Sequence, residues 1–310
     1  MPTSLTRDAE SPPGWRPVDR LGAVKVDPES GLHIGTVKIG AQRLRVGIRP
    51  LPPDSEPSAA APPLLLFNGI GANLEMAGLL LSRLASVETV VFDLPGVGRS
   101  PPPRFPYRLF TMARLARDLL DELGYGVVDV MGVSWGGGLA QQFAIKYPKR
   151  VRRLVLAATS RGGLTMVPGH PRVLWKMAHP SRYTDKEYLK RVAPELYGGD
   201  VRNDPAALRC FLDHARGGHP RGYRYQMLAM MGWTSLPWLW RIRHRTLVLA
   251  GNDDPLVPLI NARIHAWLLP DARLHVFDNG HLFMLTRPEE TARVIGDFLT
   301  SRAVPDRRHL

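Results

Sequence analysis

Three side chains of the types that act together in nucleophilic catalysis each follow a segment typical of a buried strand. Ser134 is the centre of a Gly-x-Ser-x-Gly motif at residues 132–136, between a β-rich stretch (126–131) and a helix-like run (137–146). A sharp strand-to-helix turn exposes the serine hydroxyl, and its glycines let the neighbouring backbone approach closely. The helix behind it offers unpaired N–H groups to a developing oxyanion. Taken alone, the pentapeptide could also be a turn that only reverses the chain.

An acid and a base follow downstream of the serine. The segment 246–250 has the composition of a buried strand and leads into a turn that contains Asp254, and a short predicted strand at 273–277 is followed by His281. The chain order serine, aspartate, histidine is that of the α/β-hydrolases. Imidazole titrates near neutral pH, so it can take the serine proton and return it, and a carboxylate fixes its tautomer. We therefore predict Ser134 as nucleophile, His281 as base and Asp254 as the triad carboxylate.

Two adjacent aspartates compete for the acid position. Gly251, Asp254 and Pro258 fit the G-x-x-D-x-x-x-P spacing common at this point of the fold, which favours Asp254 over Asp253. We interpret Asp253 as a turn carboxylate that caps local backbone. Asp278, three residues before the histidine, is interpreted as a turn residue or a neighbour of the triad.

Two backbone N–H groups are predicted to form an oxyanion hole. The apolar segment 64–67 predicts a central strand that ends in Asn68 and Gly69, and this fold places one donor in the loop after that strand. The donors are then the N–H groups of Ile70 and Trp135. A dinucleotide-binding loop is excluded here, because Leu74 stands where the third glycine of G-x-G-x-x-G would be.

Composition restricts the function classes. The 310 residues carry a net charge of +13, but no nucleic-acid-binding motif accompanies it, and we expect no nucleic-acid partner. No apolar run reaches the roughly 20 residues that cross a bilayer, and the first 15 residues lack the apolar region of a secretion signal. The single cysteine, Cys210, suits a reducing cytoplasm. We see no metal-ligand cluster and expect no metal or cofactor, and no pattern specifies an oligomeric state.

The order of predicted elements indicates an α/β-hydrolase fold: a mostly parallel central sheet flanked by helices, with an inserted helical cap. A loose N-terminal extension is predicted at 1–33, the two parts of the core at 34–160 and 244–300, the cap at 161–243, and a basic tail at 301–310. The cap is rich in Met, Trp and Tyr, which suits a lid over an apolar acyl pocket. Five side chains are predicted to contact substrate: Asn68, Trp175, Met177, Trp233 and Phe283.

The sequence resembles the intracellular medium-chain-length poly(3-hydroxyalkanoate) depolymerases between about Gly35 and Leu299. The resemblance rests on residues 67–75 and 132–144 in the core, on 166–169 and 232–235 in the cap, and on the segments around Asp254 and His281. It implies a cytoplasmic serine hydrolase, associated with polyester granules, that cleaves these polymers into 3-hydroxyalkanoic acids or oligomers. It also implies Ser134, Asp254 and His281 as the triad.

Other functions remain open at this stage. The same triad serves carboxylesterases, lactonases and C–C bond hydrolases that act on small molecules, and a hydrophobic ester would fit the predicted pocket. A non-catalytic granule-binding protein that kept the fold is a more remote alternative. Dehalogenases and epoxide hydrolases need a carboxylate nucleophile where Ser134 stands, so the sequence argues against them.

Overall fold

Nine strands form one sheet in the described part of the chain, and six of them run parallel. The computed structural model describes residues 16–51, 61–84, 86–179, 181–215 and 219–301. The strands are β1 (Lys25–Val26), β2 (His33–Ile39), β3 (Gln42–Arg49), β4 (Leu64–Phe67), β5 (Thr89–Phe92), β6 (Val128–Val133), β7 (Val151–Ala157), β8 (Arg245–Gly251) and β9 (Ala272–Phe277). Their order across the sheet is β1-β2-β3-β5-β4-β6-β7-β8-β9. β1, β2 and β3 pair antiparallel, and β4 to β9 pair parallel.

Helices cover both faces of this sheet. They are α1 (Glu75–Arg83), α2 (Leu109–Glu122), α3 (Trp135–Lys146), α4 (Pro171–Ala178), α5 (Ser181–Thr184), α6 (Lys186–Tyr197), α7 (Gly199–Asn203), α8 (Pro205–His214), α9 (Pro220–Met230), α10 (Ile260–Leu268), α11 (Phe283–Thr286) and α12 (Pro288–Thr300). Short 3₁₀ helices lie at Pro17–Arg20, Pro148–Arg150, Gly163–Thr165 and Leu236–Arg241. Within the described ranges, no helix is both long and apolar enough to cross a bilayer.

The parallel strands are buried on both faces, as their near-continuous apolar sequences predict. Every residue of β4 and β5 is buried, and β6 to β8 expose little more. The side chains of the two faces belong to two separate core clusters, one with α2 and α3 and one with α1 and α12. The predicted class, a mostly parallel sheet flanked by helices, is confirmed.

The chain between β7 and β8 contains only helices and loops among its described residues. α4 to α9 lie here, and α4, α6, α7 and α8 share a third apolar cluster that includes Val173, Leu196 and Phe211. Leu256, in the loop after β8, and Leu285, in α11 after β9, join the same cluster. The inserted segment is therefore packed onto the side of the molecule where the strand ends carry Asp254 and His281.

Part of the N-terminal extension belongs to the fold, which corrects the prediction of a loose segment over residues 1–33. Leu21 and Leu32 are buried in the two main clusters, and Lys25–Val26 adds the edge strand β1. The two leucines supply apolar area that the antiparallel end of the sheet would otherwise expose. Residues 1–15, most of the proline-rich loop (52–60) and residues 302–310 of the predicted tail lie outside the described residues.

Candidate active site

Ser134 occupies a sharp turn between β6 and α3. Its φ of 52° and ψ of −115° lie in a region that residues with a side chain rarely adopt. Three hydrogen bonds hold the turn: Ser134 N–H donates to Ala157 O (2.8 Å), and Ser134 O accepts from Gly137 N–H (2.9 Å) and from Thr159 Oγ1 (2.7 Å). The end of β7, the segment that follows it and the start of α3 thus hold the N–H and the carbonyl of the strained residue.

The two glycines of the motif are required by close packing. A Cβ on Gly132 would lie 2.3 Å from Gly136 O, and a Cβ on Gly136 would lie 2.1 Å from Phe67 O. These distances are far below any real carbon–oxygen contact, so α3 can begin this close to β4 and β6 only with glycine at both positions. The Gly-x-Ser-x-Gly spacing is therefore a packing requirement of this turn.

His281 and Asp254 form a buried pair. His281 Nδ1 lies 2.7 Å from Asp254 Oδ2, and the two side chains are 4% and 1% exposed. The other carboxylate oxygen, Oδ1, accepts the N–H groups of Leu256 (2.9 Å) and Val257 (2.8 Å). The carboxylate is thus fully hydrogen-bonded, as a buried charge requires.

The competing aspartates face away from this pair. Asp253 accepts the N–H of Gly199 (2.8 Å) and forms an exposed ion pair with Arg202 (3.1 Å). Asp278 accepts a hydrogen bond from Asn252 Nδ2 (2.8 Å). Of the three carboxylates, only Asp254 contacts His281.

Tyr197, at the end of α6, holds the loop that carries the histidine. Its carbonyl accepts the N–H of His281 (2.7 Å), and its ring stacks on the imidazole with 6.1 Å between ring centroids. Burial raises the pKa of the Tyr197 phenol, so it remains protonated. Close glycine contacts complete this junction, since a Cβ on Gly280 would lie 2.0 Å from Tyr197 O. The inserted helices therefore help to place His281.

The loop after β4 lies against the serine. A Cβ on Gly69 would be 3.6 Å from Ser134 Cβ, and Asn68 Nδ2 donates to Asn73 O (2.8 Å) across the base of the loop. Among the described residues, the N–H of Ile70 has no hydrogen-bond partner. Trp135 is the first residue of α3, where an N–H lacks an intrahelical acceptor. Within the described part of the chain, neither of the two predicted donor N–H groups thus has a protein acceptor.

The turn after β5 anchors the far end of this loop. Buried Asp93 accepts the N–H groups of Leu74 (2.9 Å) and Arg99 (3.0 Å) and pairs with Arg45 (3.3 Å). Burial raises the pKa of the Asp93 carboxyl, although these partners oppose the change. Asp93 therefore has a structural role, and it lies outside the cavity described next.

One cavity contains both Ser134 and His281. It has a volume of about 240 Å³ and extends under α5 and α6. Its wall is mostly apolar and includes Met76, Leu80, Met177, Leu189, Leu256 and Leu285. Arg182 is the charged exception that is buried, and its Nη1 donates to Tyr197 OH (2.8 Å). An ester with an apolar acyl chain fits such a cavity.

The predicted substrate contacts divide into two groups. Asn68 and Met177 line the cavity. Trp175, Trp233 and Phe283 do not: Trp175 is 74% exposed on the outer side of α4, and Trp233 donates its indole N–H to Gln142 on α3 (2.9 Å). Phe283 is fully buried and stacks on a neighbouring aromatic ring, Phe277, at 4.4 Å. None of these three side chains therefore lines the cavity that contains Ser134.

Sequence reasoning missed three residues around the site. Arg182 and Tyr197 line the cavity, and Gln226 on α9 hydrogen-bonds the loop after β4. No motif surrounds Arg182 or Gln226, and Tyr197 is one of many aromatic residues in the cap. Their burial is what distinguishes this arginine and this glutamine from other polar residues of the cap. Burial can be recognised only once the orientation of each helix is known.

The described residues contain no candidate metal site. No group of three or more histidine, cysteine, aspartate or glutamate side chains is arranged to hold an ion there. The expected absence of a cofactor stays a prediction.

Comparison with known proteins gives consistent matches along most of the chain. The family model described as alpha/beta hydrolase fold matches residues 62–288. A poly(3-hydroxyalkanoate) depolymerase of Ectopseudomonas oleovorans is 50% identical over 265 residues, which are 85% of this chain and 91% of that protein. A 2-hydroxy-6-oxo-6-phenylhexa-2,4-dienoate hydrolase of Comamonas testosteroni is 30% identical over 70% of this chain and 79% of its own.

Solved structures show the same fold. The enol-lactonase from Burkholderia xenovorans LB400 superposes with a TM-score of 0.71 at 23% identity, over 86% of this chain and all of that one. An esterase from Exiguobacterium antarcticum gives 0.70 at 19% identity, over 84% of this chain and 96% of its own.

Proposed function

Because the chain belongs to the poly(3-hydroxyalkanoate) depolymerase family of the α/β-hydrolases, we propose that it hydrolyses the ester bonds of medium-chain-length poly(3-hydroxyalkanoate). One observation carries this substrate: the 50% identity to a depolymerase over 85% of the chain. The mostly apolar cavity at Ser134 supports it, because the side chains of such a polymer are alkyl groups.

The chemistry we propose is acyl transfer through Ser134. Oγ adds to the ester carbonyl carbon while His281 Nε2 takes its proton, and the oxyanion accepts the N–H groups of Ile70 and Trp135. The carbon–oxygen bond to the alcohol then breaks, and His281 returns the proton to the departing alkoxide. Water, deprotonated by the same histidine, attacks the acyl-enzyme and releases a 3-hydroxy acid or a shorter polymer end.

Replacing the nucleophile tests this mechanism. Ser134→Ala should lower kcat by about 10⁴–10⁶-fold, because the remaining site only binds and polarises the ester. The measurement is titrimetric release of acid from emulsified polyhydroxyoctanoate and from a soluble nitrophenyl ester. A fluorophosphonate probe should label the wild type and fail to label Ser134→Ala. Near-normal activity of the variant would contradict the assignment.

The substrate is tested separately from the mechanism. We expect acid release from polyhydroxyoctanoate and much less from polyhydroxybutyrate, whose methyl side chains fill less of the apolar cavity. A wild type active on soluble esters but inactive on both polymers would instead indicate a small-molecule esterase or lactonase.

We also propose that the protein docks on the granule surface through an exposed apolar and basic region. Its apolar members lie at the start of α2, the end of α9 and the following 3₁₀ helix: Phe110, Leu228, Met231, Leu236, Trp238 and Trp240. Arg108 links two of these elements by donating to Leu228 O (3.0 Å) and Met231 O (3.4 Å). Arg241 lies 5.2 Å from the rings of both Trp238 and Trp240.

The positive charge of this region supports docking on a granule surface that is apolar and carries negative groups. Residues 219–244, which contain α9 and the following 3₁₀ helix, include four arginines and neither aspartate nor glutamate. Tryptophan and arginine side chains of this kind combine an apolar body with a polar or charged tip, which suits a boundary between water and an apolar phase. The region is distinct from the cavity walls, so docking and catalysis can be measured separately.

Co-sedimentation with polyhydroxyoctanoate granules tests the docking surface. The double variant Trp238→Ser, Trp240→Ser should lose about 30-fold or more in granule affinity, since each buried indole contributes more than 1 kcal/mol and about 1.4 kcal/mol is tenfold. It should keep its kcat on a soluble ester. Trp267→Ser is the matched control, because Trp267 is an exposed indole (72%) on α10, an element that contributes no residue to this region. Equal granule binding by the double variant and the control would overturn the assignment.

A further inference from the structure

Gln226 lies between the two segments that provide the proposed oxyanion donors. Its side chain is fully buried, and Oε1 accepts the N–H of Gly71 at 2.9 Å. Its backbone carbonyl accepts the indole N–H of Trp135 at 2.8 Å. Gly71 directly follows Ile70, one donor residue, and Trp135 is the other. One residue of a cap helix therefore hydrogen-bonds both halves of the oxyanion site.

The helix that carries Gln226 is held tightly against the core. A Cβ on Gly222, one turn earlier, would lie 2.0 Å from Gly96 O in the turn after β5. Positions i and i+4 of a helix share a face, so Gly222 and Gln226 point to the same side. Ala229, near the next turn of that face, is 1% exposed. Because α9 contacts the core through backbone, the position of Gln226 is well defined.

The side chain acts through its acceptor oxygen. Gln226 Nε2 is buried and has no hydrogen-bond partner among the described residues, whereas Oε1 has one. Leaving an amide donor unsatisfied costs free energy, so the residue is not explained by a need to satisfy its own groups. What it provides is an acceptor for Gly71 N–H. Gly71 has φ 72°, and its hydrogen bond to Gln226 ties this turn to α9.

We propose that Gln226 is a positioning residue of the oxyanion hole, which couples the seating of the cap to catalysis. Resting on the proposed function, this inference gives α9 a role in catalysis, although none of its residues lines the cavity. By fixing the Gly71 amide, Gln226 orients the preceding residue, so that the Ile70 N–H points to the carbonyl oxygen bound at Ser134. Removal of the acceptor loosens this donor, which acts in the transition state more than in the substrate complex.

The test compares the same substitution at two hydrogen bonds that join the cap to the core, both partly buried. Gln226→Met keeps the volume and removes the acceptor, and Gln142→Met does the same for the bond from the indole N–H of Trp233. On a soluble ester, Gln226→Met should lower kcat by about 10- to 100-fold, below the loss of a whole donor, with little change in KM. Gln142→Met should keep kcat within a few-fold.

A tetrahedral inhibitor and a conservative variant separate positioning from general cap support. Affinity for a trifluoromethyl ketone, which places an oxyanion in the hole, should fall by the same factor as kcat in Gln226→Met. Gln226→Glu should recover most of the loss, because a buried glutamic acid is neutral and keeps a carbonyl acceptor. Equal losses in Gln226→Met and Gln142→Met, or wild-type ketone affinity in the former, would overturn the proposal.

Amide hydrogen exchange tests the positioning role of Gln226 independently of the proposed function. The amides of residues 68–74 should exchange faster in Gln226→Met than in the wild type and in Gln142→Met, whatever substrate the enzyme takes. A wild type that neither hydrolyses esters nor reacts with a fluorophosphonate would instead remove the proposed function. Unchanged exchange in Gln226→Met would remove the positioning role alone.

Discussion

At the scale of single residues, the two oxygens of Asp254 have separate partners. Oδ1 accepts two backbone N–H groups, which leaves Oδ2 facing His281 Nδ1 at 2.7 Å. An ionised carboxylate only accepts hydrogen bonds, so the proton of neutral His281 lies on Nδ1 and Nε2 is the basic nitrogen. The tautomer that can deprotonate Ser134 therefore follows from the turn that holds Asp254.

Asp254→Asn should reverse this tautomer preference. The amide can donate to Nδ1, which leaves the proton on Nε2 and removes the base, so kcat should fall by about 10³–10⁴-fold. The measurement is kcat on a soluble ester at neutral pH. Asp253→Asn is the matched control, because Asp253 contacts Gly199 and Arg202 and the new side chain keeps an acceptor oxygen. A larger loss in the control than in Asp254→Asn would show that the wrong acid was chosen.

At the scale of elements, the strand–turn–helix around Ser134 depends on backbone contact. Alanine favours a helix over glycine by roughly 1 kcal/mol, so propensity alone would make Gly136→Ala stabilising within α3. The Cβ, however, would lie 2.1 Å from Phe67 O on β4. The two strands and the helix would have to separate, which displaces Ser134 as well.

Gly136→Ala should therefore lower the free energy of unfolding by about 3 kcal/mol or more and reduce esterase activity with it. Urea denaturation followed by circular dichroism measures the first effect. Gly126→Ala is the control, because no atom lies within 4 Å of its added Cβ, and we expect a change within about 0.5 kcal/mol. Similar unfolding free energies for both variants would contradict the packing argument.

The elements differ in how far the sequence predicts them. β4 has the limits that its apolar residues predict, and Ser134, Asp254 and His281 follow strand ends as expected. The cap is different, because its helices are amphipathic in several directions and composition does not say which side faces the site. Trp175 on α4 therefore faces solvent, whereas Met177, two residues later in the same helix, lines the cavity.

At the scale of the whole molecule, a buried polar network joins the inserted segment to the core. Gln141 on α3 donates to Ser160 O (3.1 Å), just before the insertion, and accepts from Ser235 Oγ (2.6 Å) near its end. His265 on α10 completes the network, with Nε2 3.2 Å from Gln141 Oε1. The sequence predicted the insertion but could not predict this network, because its members are far apart in the chain and belong to no motif.

His265 makes the stability of the molecule depend on pH. Complete burial, with a smaller contribution from nearby Arg161, lowers the pKa of His265 to about 3 from 6.5. Between these two values the unfolded chain binds a proton that the folded chain does not, so the free energy of unfolding falls as pH decreases below 6.5. The loss from this group should reach about 2 kcal/mol between pH 7 and pH 5 and should level off near pH 3.

Urea unfolding at pH 7 and pH 5 measures this contribution when the wild type is compared with His265→Gln. The glutamine amide can still donate to Gln141 Oε1 but does not titrate, so the variant should lose about 2 kcal/mol less than the wild type on acidification. His244→Gln controls for a histidine at an exposed hydrogen bond, since His244 Nε2 lies 2.9 Å from Pro148 O at the surface. If His265→Gln lost as much stability as the wild type between the two pH values, His265 would not be the neutral, buried group that joins α10 to the cap.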